Sequence, residues 1–286
     1  MGSWARSKEI TRTCFEVIKA DKEMLLFPLL AGFFSILFAL AMLFPTIIVH
    51  ILRHEHIVFE PLHYVLTFIT YLGLAFVATF FNVCTVYTTK VRLEGGDATF
   101  FQSIGFALSR IHLILAWSMV AATVGLLLHM LDNAGRRAGG LGKVLIAILR
   151  SILGAAWSLI TIFVVPAMVY EGLGPFAAIK RSIDTLKQTW GESLIRYYGL
   201  GFVQFVLLLP AFILMFLAVP AMARGVPAEL ALGVLALLFL YIMAVILVFQ
   251  VANTVFNTAL YVYAAKGRAP TGFSDDVMRG AFQHKG

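Results

Sequence analysis

Seven amide and hydroxyl side chains lie within two otherwise apolar stretches: Gln250, Asn253, Thr254, Asn257, Thr258, Asn82 and Thr85. Spacings of three and four residues place Gln250, Asn253 and Asn257 on one face of a helix. Two interpretations are open: hydrogen bonds between neighbouring helices, or the lining of a path for ions or small polar solutes. No carboxylate accompanies these residues, which argues against a proton relay or a cation-coupled site.

A second group consists of basic residues and one tryptophan that lie close to the ends of apolar stretches. Long basic side chains near the end of an apolar stretch reach the membrane surface, where each attracts anionic lipid. Lipid-headgroup contact is therefore predicted for six residues: Lys180, Arg181, Lys187, Trp190, Lys90 and Arg92.

Histidines between the first two apolar stretches form a third group. His50 and His54 are four residues apart, the spacing of a metal chelate on a helix, and His56 follows. The segment lacks the signature spacing of a known metal site, so a solvated, pH-sensitive loop is the favoured interpretation. We predict no metal site and no cofactor, with these three histidines as the candidate ligands if the prediction is wrong.

The composition is that of an integral membrane protein. Of 286 residues, 60% are hydrophobic and 13% are charged, against about 25% charged in soluble domains. The mean hydropathy is +0.91. The net charge of +7 indicates membrane topology and contact with anionic lipid rather than nucleic-acid binding, because basic residues gather at the cytoplasmic side of membrane proteins.

Six apolar stretches are each long enough to cross a bilayer: residues 24–52, 62–89, 108–131, 144–170, 194–222 and 230–264. All 15 acidic residues lie outside them or at an end. Of the 22 lysines and arginines, 16 fall on one side of these spans and five on the other. The positive-inside rule then places both termini in the cytoplasm, and we predict a multi-pass protein of a prokaryotic inner (plasma) membrane.

The segment 175–190 predicts an amphipathic helix between two spans. Its apolar residues follow helical spacing: Phe176, Ile179, Ile183, Leu186 and Trp190. Such a basic amphipathic helix lies in the bilayer interface with its apolar face towards lipid. Looser stripes precede the other hairpins, at Ile10, Cys14, Val17 and Met24 and at Phe100, Ile104, Leu108 and Ile111, and a short one follows at Phe273.

These segments resemble one another in order as well as composition. After the second, fourth and sixth spans, a tyrosine is followed by a glycine turn and then a phenylalanine. The predicted fold is all-α, with six transmembrane helices as three hairpins, each preceded by an amphipathic interfacial helix. The prediction is a single domain, 1–286, with pseudo-repeats at about 1–92, 93–171 and 172–266 and a C-terminal interfacial segment, 267–286. Chance similarity is the alternative, since the spacing of the repeats is irregular.

The run Ala178-Ile179-Lys180-Arg181-Ser182, leading to Thr189-Trp190-Gly191 between apolar hairpins, carries a family resemblance. It resembles a loose group of bacterial and archaeal six-span proteins, largely uncharacterised. It is also similar to the membrane domain attached to some glycerophosphodiester phosphodiesterases. The sequence contains no phosphodiesterase catalytic domain, so the resemblance does not imply that activity.

Four further features give local predictions. Arg150, about two turns into the fourth span, is expected to extend towards the headgroups. Residues 132–143 predict a flexible outer loop. Four prolines predict kinks, with the most central, Pro210, as the best hinge: Pro45, Pro166, Pro210 and Pro220. Ala147, Ser151, Gly154 and Ser158 form a ridge of small residues that favours close helix packing.

Three classes of function follow. The favoured one is a non-enzymatic, self-associating protein that interacts with lipid or forms a membrane scaffold. The alternative is a channel or transporter lined by Gln250, Asn253 and Asn257. A membrane enzyme is disfavoured, because we find no acid, base, metal or nucleophile pair for hydrolysis or lipid transfer. The expected partners are anionic lipids on the cytoplasmic side and further copies of the chain; the sequence identifies no soluble partner.

Overall fold

The computed structural model describes residues 3–52, 60–190, 199–223, 227–267 and 269–273. All regular structure in these residues is helical: α1 (Ser3–Ala20), a 3-10 turn (Lys22–Leu25), α2 (Leu26–Leu52), α3 (Glu60–Leu93), α4 (Phe100–Ser109), α5 (Ile111–Ala138), α6 (Gly140–Ile160), α7 (Val164–Glu171), α8 (Pro175–Trp190), α9 (Gly199–Ala223) and α10 (Ala228–Lys266). The predicted all-α, polytopic membrane fold is confirmed.

The described residues of the predicted spans are almost entirely helical. Within the described residues, five spans are long and apolar enough to cross a membrane, bounded by Lys22–Phe44, Tyr64–Leu93, Ile111–Ala138, Gly140–Glu171 and Glu229–Lys266. The predicted fifth span, 194–222, corresponds to α9, of which Val203–Leu217 forms the described apolar stretch. The predicted interfacial segments at 100–111 and 175–190 correspond to α4 and α8, with Ile111 beginning α5.

The chain forms two compact units. Unit 1 comprises Met1–Leu25 and Thr189–Gly286, and unit 2 comprises Leu26–Gln188. In unit 1, α9 and α10 form a hairpin, in which the hydroxyl of Tyr241 donates to the carbonyl of Leu207 at 2.9 Å. Helix α1 packs against both helices, and Phe15 meets Phe249 edge to face with 5.7 Å between the ring centroids.

The apolar stripe of α1 is used inside unit 1. Ile10, Cys14, Val17 and Met24 are all buried, and so is Phe273 after α10. These side chains are therefore unavailable to lipid, although the predicted helix forms.

Unit 2 is organised around α3, which packs against α2, α4, α5 and α7. Its core contains Phe27 of α2, Val83 and Val86 of α3, Ile114 of α5 and Val169 of α7. Most large apolar residues on the outward faces of the long helices are exposed, as expected for helices whose surrounding solvent is lipid.

The fourth predicted span is interrupted. Helix α6 ends at Ile160 and α7 begins at Val164, with three residues in turns between them. Pro166 explains the position of the break, because it has no N–H for the carbonyl of Ile162 and its ring would clash with that carbonyl in a continuous helix. All residues from Phe163 to Val169 are buried, which meets the requirement that irregular backbone at membrane depth be covered by protein. By contrast, α9 continues as helix through Pro210.

One local prediction between α5 and α6 was wrong. The expected loop at 132–143 is helical except for Gly139, which has φ 61°, because both helices extend beyond their apolar segments. The Nε of Arg150 lies 2.8 Å from a carboxylate oxygen of Asp132, one residue beyond the predicted third span, and the two side chains are 48% and 35% exposed; its extension towards the headgroups stays a prediction. Trp117 stacks on Trp157 between the same two helices.

Candidate functional site

Helix α8 has three distinct faces. Its buried face consists of small residues, Ala178, Ser182 and Thr185. The predicted apolar stripe lies about a third of a turn away, where Ile179 and Ile183 are half-buried. Further round the same helix, the basic residues follow. The helix therefore attaches to unit 2 through small side chains and leaves its apolar stripe partly exposed, most of all at Phe176.

A hydrogen bond at the interrupted span holds the small face in place. The backbone N–H of Phe163 donates to the hydroxyl oxygen of Ser182 at 3.1 Å. A bulky residue at 182 would prevent this approach, and an aliphatic one would not accept the proton. The break before α7 thus creates a docking point for the amphipathic helix.

Helix α4 docks in a similar way. Ser103 and Ala107 form its buried small face, and the hydroxyl oxygens of Ser103 and Thr88 lie 2.6 Å apart. The helix begins with a capping box, in which Thr99 accepts from the backbone N–H of Gln102 and the Gln102 side chain accepts from the backbone N–H of Thr99. Reciprocal capping fixes where this short helix starts.

Both interfacial helices present an exposed phenylalanine at their second position. Phe101 is 81% exposed and Phe176 is 78% exposed. Phe100, which the sequence pattern had matched with Phe176, instead stacks on Phe27 with 5.3 Å between centroids. By exposure, Phe101 is the counterpart of Phe176. The pseudo-repeat itself stays a prediction.

The six predicted headgroup residues occupy different environments. Lys180 and Lys187 are exposed on α8. Arg181 pairs with Glu171 at 2.8 Å, and Arg92 pairs with Asp97 at 2.6 Å. Lys90 lies over the ring of Tyr170, with Nζ 4.9 Å from its centroid. The side chain of Trp190 lies outside the described residues.

Sequence reasoning missed Arg110, the residue between α4 and α5. Its guanidinium carbon lies 5.8 Å from the centroid of Phe106. One of its terminal nitrogens would be 3.0 Å from a Cβ at Gly172. Gly172 ends α7 in the left-handed region, with φ 66° and ψ 27°, where glycine is favoured. The only signal in the sequence was a single arginine at the start of a predicted span.

The intramembrane polar residues divide between the units. In α10 of unit 1, Thr254 and Thr258 donate their hydroxyls to carbonyls one turn earlier. Gln250 is exposed, and Asn253 and Asn257 are half-buried. In unit 2, Asn82 is half-buried, and the buried Thr85 donates to the carbonyl of Phe81 at 3.0 Å. The threonines thus satisfy their hydroxyls within their own helices.

The remaining candidate ligands and nucleophiles give no site. Among the residues described, no group of three His, Cys, Asp or Glu side chains is placed to hold a metal ion. The candidate histidines His54 and His56 lie outside the described residues, as does the side chain of His50. Cys14 and Cys84 are free and buried, and burial raises the pKa of the Cys14 thiol, which keeps it protonated and unreactive.

Comparison with known proteins gives one match. A model of a family of unknown function (DUF6159) matches residues 61–273, roughly three quarters of the chain. No curated protein and no solved structure gives a significant match. The matched residues include α4, α8, the interrupted span and the polar stretch of α10.

Proposed function

The chain belongs to a family of unknown function (DUF6159), and we propose that it is a non-enzymatic, lipid-interacting membrane scaffold that associates with further copies of itself. Its fold is that of a helical membrane protein. The proposal places it in a prokaryotic inner membrane with both termini in the cytoplasm. The resemblance to the membrane domain of some phosphodiesterases is part of this proposal, without their activity.

One observation carries the lipid-interacting role. Helix α8 binds unit 2 through Ala178 and Ser182, and its apolar stripe, beside exposed lysines, is exposed at Phe176 and half-buried at Ile183. A helix that only completed a protein core would bury that stripe instead. An interfacial helix needs both an apolar face towards the acyl chains and basic residues among the headgroups.

Spin labels test this role. In vesicles containing anionic lipid, a nitroxide replacing Ile183 should be accessible to oxygen, which concentrates in the membrane. A nitroxide replacing Asp184, a matched position one residue on, should be accessible to a water-soluble nickel chelate. Equal accessibility of the two labels to the nickel chelate would contradict the proposal. Reversing Lys180 and Lys187 to Glu should weaken binding of anionic lipid by about 1 kcal/mol per charge.

Self-association is supported by α6. Among its described residues none is buried, and the small ridge includes Gly154, where a Cβ would meet no atom within 4 Å. Small residues allow the backbones of membrane helices to approach closely. Gly154→Leu should therefore reduce cross-linking between copies in lipid, while Gly105→Leu, at another open glycine, should not.

Transport is the second candidate, and the exposure of Gln250 favours it. A path along Gln250, Asn253 and Asn257 would be wet, so thiol reagents should reach Asn253→Cys, and solute flux in liposomes should fall in Asn253→Leu. An inaccessible cysteine at 253 together with absent flux would leave only the scaffold. The hydrogen bonds of Thr254 and Thr258 within α10 favour a structural role for this stretch.

A further inference from the structure

Three basic side chains from different elements converge on three consecutive residues at the end of α7. Lys90, at the end of α3, lies over Tyr170. Arg181 of α8 pairs with Glu171. Arg110, between α4 and α5, lies against Gly172. Phe106, which lies against Arg110, stacks on Tyr87 with 4.2 Å between the ring centroids. Tyr87 precedes Lys90 by three residues on the same face of α3, so this stack connects the surroundings of Lys90 and Arg110.

The charges at this turn do not balance. Glu171 is the carboxylate at the turn, and its Oε1 lies 2.8 Å from Nε of Arg181. No carboxylate in the described part of the chain pairs with Arg110 or Lys90. Each contacts an aromatic ring instead, Phe106 and Tyr170 respectively. Two positive charges therefore remain beside one neutralised pair.

Arg110 is positioned by an aromatic ring and a glycine rather than by a carboxylate. Its guanidinium has five N–H donors in a planar fork, and it is half-buried between Phe106 and Gly172. The position of Gly172 matters because a side chain there would occupy the space of the guanidinium. The α7 carbonyls offset part of its charge, yet they cannot match a planar, bidentate anion in geometry.

We propose that Lys90 and Arg110, fixed around Tyr170–Gly172, bind the phosphate group of an anionic phospholipid. A phosphate oxygen pair fits the fork of an arginine, and a nearby lysine adds a point charge. The exposed Phe176, four residues after Gly172 at the start of α8, supplies an apolar contact for the acyl chains. This inference rests on the proposed lipid-interacting function and assigns it a discrete site.

Native mass spectrometry of the purified full chain tests the site. Phosphatidylglycerol and phosphatidylcholine with identical acyl chains are titrated separately, because only the second carries a cation that Lys90 and Arg110 would repel. The wild type should bind phosphatidylglycerol more tightly. Arg110→Gln should reduce that affinity about tenfold, the loss expected for a charge-assisted hydrogen bond. Lys19→Gln removes an equal charge from an exposed position on α1, outside the predicted headgroup contacts, and should reduce it far less.

Each outcome is decisive. Equal losses in Arg110→Gln and Lys19→Gln would mean that anionic lipid responds only to the total charge, which overturns the site but preserves the proposed function. Displacement of the lipid by excess glycerol 3-phosphate would assign the site to a soluble phosphate compound and overturn the lipid assignment. If Arg110→Gln lowers the unfolding temperature but leaves the preference for phosphatidylglycerol unchanged, Arg110 only stabilises the end of α7, and the proposed site is overturned. If Arg110→Gln does not fold, Lys90→Gln provides the same comparison from α3. Failure of the proposed function would appear separately, in the spin labels at 183 and 184.

Discussion

Helices α1 and α8 are both amphipathic and basic, yet they use opposite faces to contact the rest of the protein. In α1, the apolar stripe that includes Cys14 and Ile18 is buried. In α8, the buried face is the small one, with Ala178 and Ser182, and the neighbouring apolar stripe is half-buried to exposed. An amphipathic pattern therefore identifies a helix at a boundary without identifying which face meets protein.

Two physical differences account for this contrast. Lipid tails are as apolar as leucine, so apolar residues of a membrane-bound helix gain little by leaving lipid for protein. The face that docks on protein is then the one whose backbone can approach a neighbouring helix most closely, and small residues permit this approach. At α8 the opposing surface includes the interrupted helix at Phe163. The backbone N–H of Phe163 needs a hydrogen-bond acceptor, and only a small residue on α8 can bring one close enough. At α1 the opposing surface includes the ring of Phe249, to which a larger side chain packs well.

The largest change in stability is expected when a charged residue is placed in the buried stripe of α1. Ile18→Asp should cost about 3–5 kcal/mol of the free energy of unfolding, because it leaves a charge buried without a partner. Thermal unfolding in detergent micelles measures the loss, with the exposed Lys19→Asp as control. Ile183→Asp, on the accessible stripe of α8, should destabilise the protein less. An equal loss at 18 and 183 would mean that both stripes are packed in protein.

An intermediate effect is expected at the small face. Ser182→Ala removes the acceptor of a buried N–H, that of Phe163, and should cost about 1–3 kcal/mol. Ser103→Ala should cost about 0.5–1.5 kcal/mol, the range for a single neutral hydrogen bond, because Thr88 keeps its bond to the carbonyl of Cys84. Both are measured by thermal unfolding and by protease resistance of α8 and α4. A larger loss at 103 would contradict the role of the interrupted span in docking.

The sequence was sufficient for the helices and insufficient for their contacts. Apolar length predicted the spans, and helical periodicity predicted α8 from Pro175 to Trp190, since both are local properties of the chain. Pro166 indicated a kink, but its use as a docking point depends on Ser182, 16 residues later. Arg110 was missed because its surroundings come from α4 and α7, and neither local pattern contains them.

The smallest effect is expected from the ion pairs that α1 and α8 each carry. Arg12 and Glu16 of α1 lie 2.8 Å apart with side chains 79% and 57% exposed, whereas Arg181 and Glu171 are 31% and 35% exposed. Arg12→Gln should change the free energy of unfolding by no more than about 0.5 kcal/mol, because solvent screens an exposed pair and ordering two long side chains costs entropy. Arg181→Gln should cost more and depend less on salt, since a partly buried pair is screened less. The free energy of unfolding of each variant is measured at low and at high salt and compared with that of the wild type. A loss from Arg12→Gln that exceeds the loss from Arg181→Gln would place the outer face of α1, rather than that of α8, against another molecule.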